Sequence, residues 1–293
     1  MSRLSPNPDR REEQEALERI EVSLLLEGVY RHYGHDFRNY TYSSIRRRIW
    51  NRVRAERLPT ISALQAKVLH DPAAMERLLA DFSIGVTEMF RDPTFFLALR
   101  HKVVPLLRAL PFVRIWHAGC STGEEVVSMA ILLHEEGLYR KARLYATDMN
   151  AAALGQAEGG RFPLERMQQY TKNYLLSGGR RAFSEYYTVL GERAAFHPFL
   201  AENLVYSQHN LATDHSFNEF HLIVCRNVLI YFDDVMQRRV LELFRSSLVP
   251  EGMLGLGRKE SLPRELQEGA FETIDGQEKL YRKCDPTGRD RTE

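Results

Sequence analysis

Between residues 113 and 148 a short apolar run, VRIWHA, stops at Gly-Cys-Ser-Thr-Gly and passes into a stretch with helical spacing from Glu124 to Glu136. It returns as a second run, ARLYAT, that ends on Asp148. Strand, glycine loop, helix, strand, carboxylate is the opening unit of a nucleotide-type α/β fold, and few architectures can follow it. The later chain keeps the same alternation: FHLIVC (220–225), a helix from about Asp233 to Leu248, MLGLG (253–257) and KLYRK (279–283). This pattern predicts a doubly wound, Rossmann-like domain with a parallel sheet. The connection from Gly159 to Leu204 is too long for one crossover. Its Tyr-Tyr-Thr-Val and Ala-Ala-Phe-His segments around Gly191 predict a small antiparallel excursion, at approximately 174–205.

The loop also narrows the ligand. Gly119 and Gly123 let backbone approach a bound molecule, and the following helix start offers free N–H groups. Asp148 stands where a carboxylate accepts the two hydroxyls of a ribose. Glu124 and Glu125 occupy the helix start, where a dinucleotide's pyrophosphate would sit, and they would repel it. They tolerate a cation instead. S-adenosylmethionine carries a sulfonium and an ammonium and no phosphate, so the pattern favours a methyl donor over a dinucleotide.

Upstream the grammar is helical. A helix from Glu12 to Tyr33 carries Leu17, Ile20, Leu24, Leu25 and Val29, and a second from Ser43 to Arg57 carries Ile45, Ile49 and Val53. Thr60 can cap a third and Asp71-Pro72 a fourth. The expected division is therefore a helical domain over 12–82, a larger domain over 83–284 that opens with a helix from Pro93 to about Leu110, and a short lead and tail. Lys+Arg is 40 against Asp+Glu 39, so only local clustering carries charge information. Arg46, Arg47, Arg48, Arg52, Arg54 and Arg57 crowd the second helix, with Glu56 its only acid. Arg48, Arg52 and Arg54 are expected to project away from the apolar stripe and, with Arg46 and Arg47, to dock an acidic partner.

No run approaches the roughly 20 apolar residues of a membrane helix, and the N-terminus has no signal-type apolar core. Cys120, Cys225 and Cys284 are far apart, with no C-x-x-C. A reduced cytoplasmic protein with no disulfide frame, no metal and no membrane insertion is expected.

GVTEMFRDP (85–93), AGCSTGEE (118–125), CRNVLIYF (225–232) and GRKESL (257–262), in that order and spacing, resemble the CheR family of chemoreceptor glutamate methyltransferases. The resemblance covers roughly residues 12–284. It implies a helical N-terminal domain, an adenosylmethionine-binding α/β domain with a small inserted β-subdomain, and methyl transfer to receptor glutamates, with S-adenosylhomocysteine as product. The partners it implies are the cytoplasmic helices of methyl-accepting chemoreceptors in chemotaxis-type adaptation, with a methylesterase as functional counterpart and no nucleic acid. Residue by residue, it implies that Thr87 and Arg91 reach the methionine end of the cofactor and Glu124 its sulfonium side. Asp148 would take the ribose, Asn210 and Leu211 would flank the adenine, and Gly85, Gly119, Arg226 and Asn227 would complete the cofactor contacts. Tyr231 would face the transferred methyl and, with Arg91, orient the accepting carboxylate.

This chain departs from the family pattern in three places. Gly85 stands where Asn is usual, Val126-Val127 replace Pro-Tyr after the two glutamates, and the 174–205 segment shows no loop for a tethering pentapeptide. Two alternatives follow: a catalytically weak module that binds adenosylmethionine or its product while docking on a receptor, or a methyltransferase acting on another substrate.

Overall fold

The computed structural model of the chain describes residues 8–82 and 87–284, with side chains from residue 12 onward. These form two compact units.

The helical unit comprises α1 (Pro8–Tyr33), α2 (Tyr42–Ala55), α3 (Ile61–His70) and α4 (Pro72–Phe82), joined by the segment Tyr231–Met236. The Thr60 hydroxyl caps α3 by accepting from the Ala63 N–H at 3.1 Å. The core is built from Leu25 and Val29 of α1, Ile45, Ile49 and Val53 of α2, Leu64 and Val68 of α3, Leu78 and Phe82 of α4, and Phe37. Segment 231–236 is tied on by backbone: Thr41 N–H donates to Tyr231 O at 2.9 Å, and Asp233 N–H donates to Asn39 O at 2.8 Å.

Two helical faces differ from expectation. On α1, Leu25 and Val29 are buried as expected, but Leu17, Ile20 and Leu24 are exposed (58%, 56% and 52%), and Val22 and Leu26 complete the buried stripe. Both sets fit a 3.6-residue period, and the packed one has the tighter i, i+3, i+4, i+7 spacing. On α2, Arg48 is buried (3% exposed) and Arg52 is half-buried. They lie three and seven residues after Ile45, so they share its face rather than opposing it. Arg48 Nη1 donates to Phe82 O, and its guanidinium lies 4.6 Å from the centroid of the Tyr231 ring. Arg52 Nε donates to Asp81 at 2.7 Å and Nη2 to Arg77 O at 3.2 Å. Neither is a free docking cation.

The α/β unit opens with α5 (Pro93–Ala98), a π-turn over Leu99–Val103, and α6 (Val104–Arg108). There follow β1 (Val113–Ala118), α7 (Glu124–Glu135), β2 (Ala142–Asp148), α8 (Ala151–Glu158), β3 (Arg161–Pro163), α9 (Met167–Leu176), β4 (Tyr187–Leu190), β5 (Arg193–Phe196) and β6 (Leu204–Gln208). The chain ends with β7 (Phe220–Cys225), α10 (Asp234–Ser247), β8 (Leu248–Leu256), α11 (Arg264–Gly269), β9 (Phe271–Asp275) and β10 (Leu280–Lys283). The main sheet has the order β6-β2-β1-β7-β8-β10-β9. Its first five strands are parallel, so the Rossmann-like reading holds, but β10 pairs antiparallel with both neighbours and makes the sheet mixed. Strand order reverses between β1 and β7, which places a crevice at the carboxyl ends of β1, β2 and β7, the usual ligand position of open α/β sheets. The insertion is a three-stranded antiparallel sheet, β3-β5-β4, whose first strand at Arg161–Pro163 precedes the expected start.

Candidate functional site

At the end of β1 the chain turns at Gly119 (φ +79°), and the N–H groups of Gly119 and Cys120 both donate to Thr147 O, at 2.8 and 2.9 Å. A Cβ on Gly119 would lie 2.5 Å from Val228, and one on Gly123 (φ +91°) would lie 2.8 Å from Ala157. Both glycines are thus required by the packing of the loop itself.

Asp148 ends β2 against this loop. Its Oδ2 accepts from Ser121 N–H and its Oδ1 from Asn150 N–H, each at 2.9 Å. Each oxygen retains acceptor capacity toward the crevice, which fits a pair of vicinal hydroxyls. Burial pushes the carboxyl above its ordinary value, with the backbone N–H groups opposing.

The two glutamates at the start of α7 diverge. Glu125 Oε1 lies 2.9 Å from His117 Nδ1, and Oε2 accepts from Arg226 Nη1 at 3.2 Å. Burial pulls its carboxyl up, but His117 and Arg226 hold it below the ordinary range. Glu124 is only 3% exposed, and its Oε2 accepts from the Thr122 hydroxyl at 2.6 Å while Oε1 lies 3.4 Å from the Tyr170 hydroxyl. No cation lies within ion-pair distance of it among the described residues. Burial accordingly raises its pKa, with the Thr122 hydroxyl, a backbone N–H, the more distant Arg166 charge and the Tyr170 hydroxyl opposing. A buried carboxylate with no directly paired cation is a seat for a cationic ligand. The residues present therefore fit adenosylmethionine: a ribose-type acceptor at Asp148 and an unneutralised carboxylate at Glu124.

Arg226, at the end of β7, is held by side chains of the protein itself. Its Nη2 donates to Asp92 Oδ2 at 2.5 Å, Nη1 to Glu125, and its guanidinium lies 4.1 Å from the Phe95 ring centroid; the side chain is 2% exposed. The guanidinium ties the end of β7 to the start of α7 and to the Asp92 turn before α5. Asn227 follows in the left-handed region (φ +61°). Its N–H and those of Val228, Ile230 and Gly257 all converge on the buried carboxylate of Glu260, at 2.6 to 3.4 Å. Glu260 lies within GRKESL, but nothing in its spacing marks it as the clasp of the Asn227 loop.

Thr87 and Arg91 lie in the loop before α5, and Gly85 lies outside the described residues. That loop is fastened from below: Arg166 Nη1 donates to Thr87 O at 3.4 Å, Phe90 N–H donates to Ser128 Oγ at 2.9 Å, and Asn173 Nδ2 donates to Met89 O at 3.0 Å. Phe90 and Asp92 both have positive φ (+51° and +55°), a cost of order 1–3 kcal/mol each that surrounding contacts must hold in place. Asn210 Oδ1 accepts from Ala212 N–H at 3.0 Å, so the amide carbonyl closes its own turn, and Leu211 is buried. Tyr231 belongs to the helical unit, with its ring beneath Arg48. Of the basic helix, Arg46 is paired with Glu18, while Arg47 and Arg54 are exposed and have no ion-pair partner among the described residues. No group of three or more potential metal ligands occurs among the described residues.

Comparison with known proteins decides the family. Residues 85–280 match the CheR methyltransferase SAM binding domain, and residues 20–83 match the CheR methyltransferase all-alpha domain. The chain belongs to the CheR methyltransferase family. Its α/β unit is the adenosylmethionine-binding domain of that family, and the helical unit is the family's all-alpha domain. Among its CheR relatives, Cher3 of Pseudomonas putida is 48% identical over 90% of this chain and 97% of its own length. A chemotaxis protein methyltransferase of Listeria innocua is 28% identical over 80% of this chain and 87% of its own length. Chemotaxis protein methyltransferase 2 of Pseudomonas aeruginosa is 29% identical over 83% and 87% respectively. No helix among the described residues is long and apolar enough to cross a membrane.

Proposed function

We propose that the protein transfers the methyl group of S-adenosylmethionine to glutamate side chains of methyl-accepting chemoreceptors, as a cytoplasmic protein-glutamate O-methyltransferase. The observation that carries the reading is Glu124, a buried carboxylate with no cation within ion-pair distance among the described residues, which suits a sulfonium donor. The substrate class is supported by the relatives named chemotaxis protein methyltransferase and by the open cations Arg47 and Arg54, which suit a glutamate-bearing helix.

The chemistry asks for position more than for acid–base help. A glutamate carboxylate, with a reference pKa of about 4.3, is ionised at neutral pH. One of its oxygens attacks the sulfonium methyl in line; the C–O bond forms, the C–S bond breaks, and the electron pair stays on sulfur as a neutral thioether. No proton moves. The two charges cancel as the bond forms, so a site that excludes water and aligns the reactants lowers the barrier. In this scheme Asp148 holds the ribose and Glu124 the sulfonium side. Thr87, Arg91, Asn210, Leu211 and Asn227 line the remaining cofactor surface, and Arg91 and Tyr231 orient the glutamate. A methylesterase working on the same receptors is the functional counterpart.

The test is transfer from methyl-tritiated donor to a receptor cytoplasmic fragment. The expected product is a carboxyl methyl ester, so mild alkali releases the label as volatile methanol. Label stable to alkali would point to an amine acceptor and overturn the glutamate assignment. Donor binding without transfer to any receptor fragment would leave the docking-module alternative.

A further inference from the structure

The helical unit contains a cavity of about 560 Å³ lined by Glu18, Ser43, Arg46, Arg47, Trp50 and Arg54. All but Glu18 lie along α2, each with another of them three or four residues away, so the wall is a basic stripe with one indole in it. Arg47 and Arg54 stand seven residues apart, about 10.5 Å along the axis at 1.5 Å per residue. A helix bearing glutamates at the same seven-residue spacing is the occupant that pairs with both.

One carboxylate is already there. Glu18, on α1, is 13% exposed in its side chain, although the neighbouring α1 residues Leu17, Arg19 and Ile20 are exposed. Arg46 grips it with Nε and with Nη2 at 3.0 Å, and the Tyr42 hydroxyl donates to it at 3.2 Å. The Arg46 contact holds its pKa below the ordinary value against burial. The wall therefore offers three arginines, of which one is neutralised by the chain itself and two are open.

We propose that Glu18 is a built-in competitor for the acidic partner of this face, holding Arg46 until a partner carboxylate takes its place. The inference rests on the docking reading above and goes beyond it. The face would bind an acidic helix with two cations while Glu18 stays seated, and with three once Glu18 is displaced. Affinity is thereby held below what the arginine content alone would provide, which suits an enzyme that must leave one glutamate and move to the next.

The experiment titrates the full-length chain with a designed helical peptide carrying glutamates seven residues apart, and with its glutamine counterpart, at low and at physiological salt. Glu18→Gln is expected to tighten binding about two- to fivefold, the scale of one exposed ion pair, and to steepen its salt dependence. Adding Arg46→Gln to Glu18→Gln should cancel that gain. Glu18→Asp, one methylene shorter, should move affinity the same way by less, and it carries the test if the glutamine variant does not fold. Unchanged or weaker binding in both Glu18 variants, with Arg47→Glu plus Arg54→Glu still reducing affinity, would overturn the competitor role and leave docking intact. If the arginine reversal itself changes nothing, or the glutamine peptide binds equally well, the docking reading fails and this inference with it.

Discussion

Replacing Glu124 by glutamine separates stability from function. Glutamine keeps the shape and an acceptor for the Thr122 and Tyr170 hydroxyls, which lie 2.6 and 3.4 Å from the carboxylate. What it removes is the charge. Burial raises this carboxyl above the ordinary 4.5, so the folded protein holds its proton more tightly than the unfolded chain does. Stability therefore falls as pH rises from the ordinary value through the raised one, and the full cost of the ionised group persists at neutral pH. Glu124→Gln should raise the thermal midpoint of the ligand-free protein at neutral pH, with the difference shrinking below the ordinary carboxylate range. The same change removes the counter-charge for the donor. A contact to a charged group is worth about 1.5–3 kcal/mol, so adenosylmethionine should bind roughly 10- to 150-fold more weakly. Calorimetry with both donor and product locates the contact. If Glu124 faces the sulfonium, affinity for adenosylmethionine falls more than affinity for the uncharged thioether; if it faces the ammonium, both fall together. A lower thermal midpoint, or unchanged affinity for both ligands, would refute the reasoning.

Four further outcomes are expected. Asp148→Ala should weaken adenosylmethionine by about 1–3 kcal/mol, the cost of leaving buried hydroxyls without an acceptor, as read by calorimetry. Tyr231→Phe keeps the ring beneath the Arg48 guanidinium and should spare donor affinity while slowing methyl transfer; equal loss of both would make the residue structural. Arg47→Glu with Arg54→Glu should raise the Michaelis constant for a receptor fragment and flatten its salt dependence, leaving donor binding unchanged. Arg48→Ala should instead lower the thermal midpoint, by the roughly 1–3 kcal/mol of a buried polar contact, and leave the salt dependence of receptor methylation as it was.

The contrast between Arg48 and Arg47 shows where sequence reading stops. The strands were legible because VRIWHA and FHLIVC are predominantly apolar without strict alternation, as strands buried on both faces are. Phe271–Asp275 escaped notice because FETID interleaves charge, as an edge strand with partly exposed residues does. A helix face is harder, since period alone admits neighbouring stripes and the choice is made by what packs against it. On α1 the competing stripe was apolar, and on α2 two arginines lie on the core side because Phe82 O, Asp81 and the Tyr231 ring receive them.

The site was legible as separate islands rather than as a connected object. FRDP, GEE and CRN are far apart in the chain, and the spacing of each says only that something is needed there. In the fold, Asp92, Glu125 and Arg226 are one ion-paired unit spanning sequence separations of 134 and 101 residues. Arg226 reads from sequence as a ligand contact because a charge ending an apolar strand demands an explanation, and a cofactor is the explanation nearest to hand. The structure supplies another: two carboxylates from other motifs and a phenylalanine ring. The same logic separates Glu124 from Glu125, adjacent at one helix start and indistinguishable by type. Glu125 is paired with His117 and Arg226, whereas Glu124 has no cation within ion-pair distance among the described residues, so of the two Glu124 leaves a charge for a ligand to answer. Which of two neighbouring carboxylates serves the ligand turns on Arg226, 101 residues from Glu125, and that information exists only once the chain has folded.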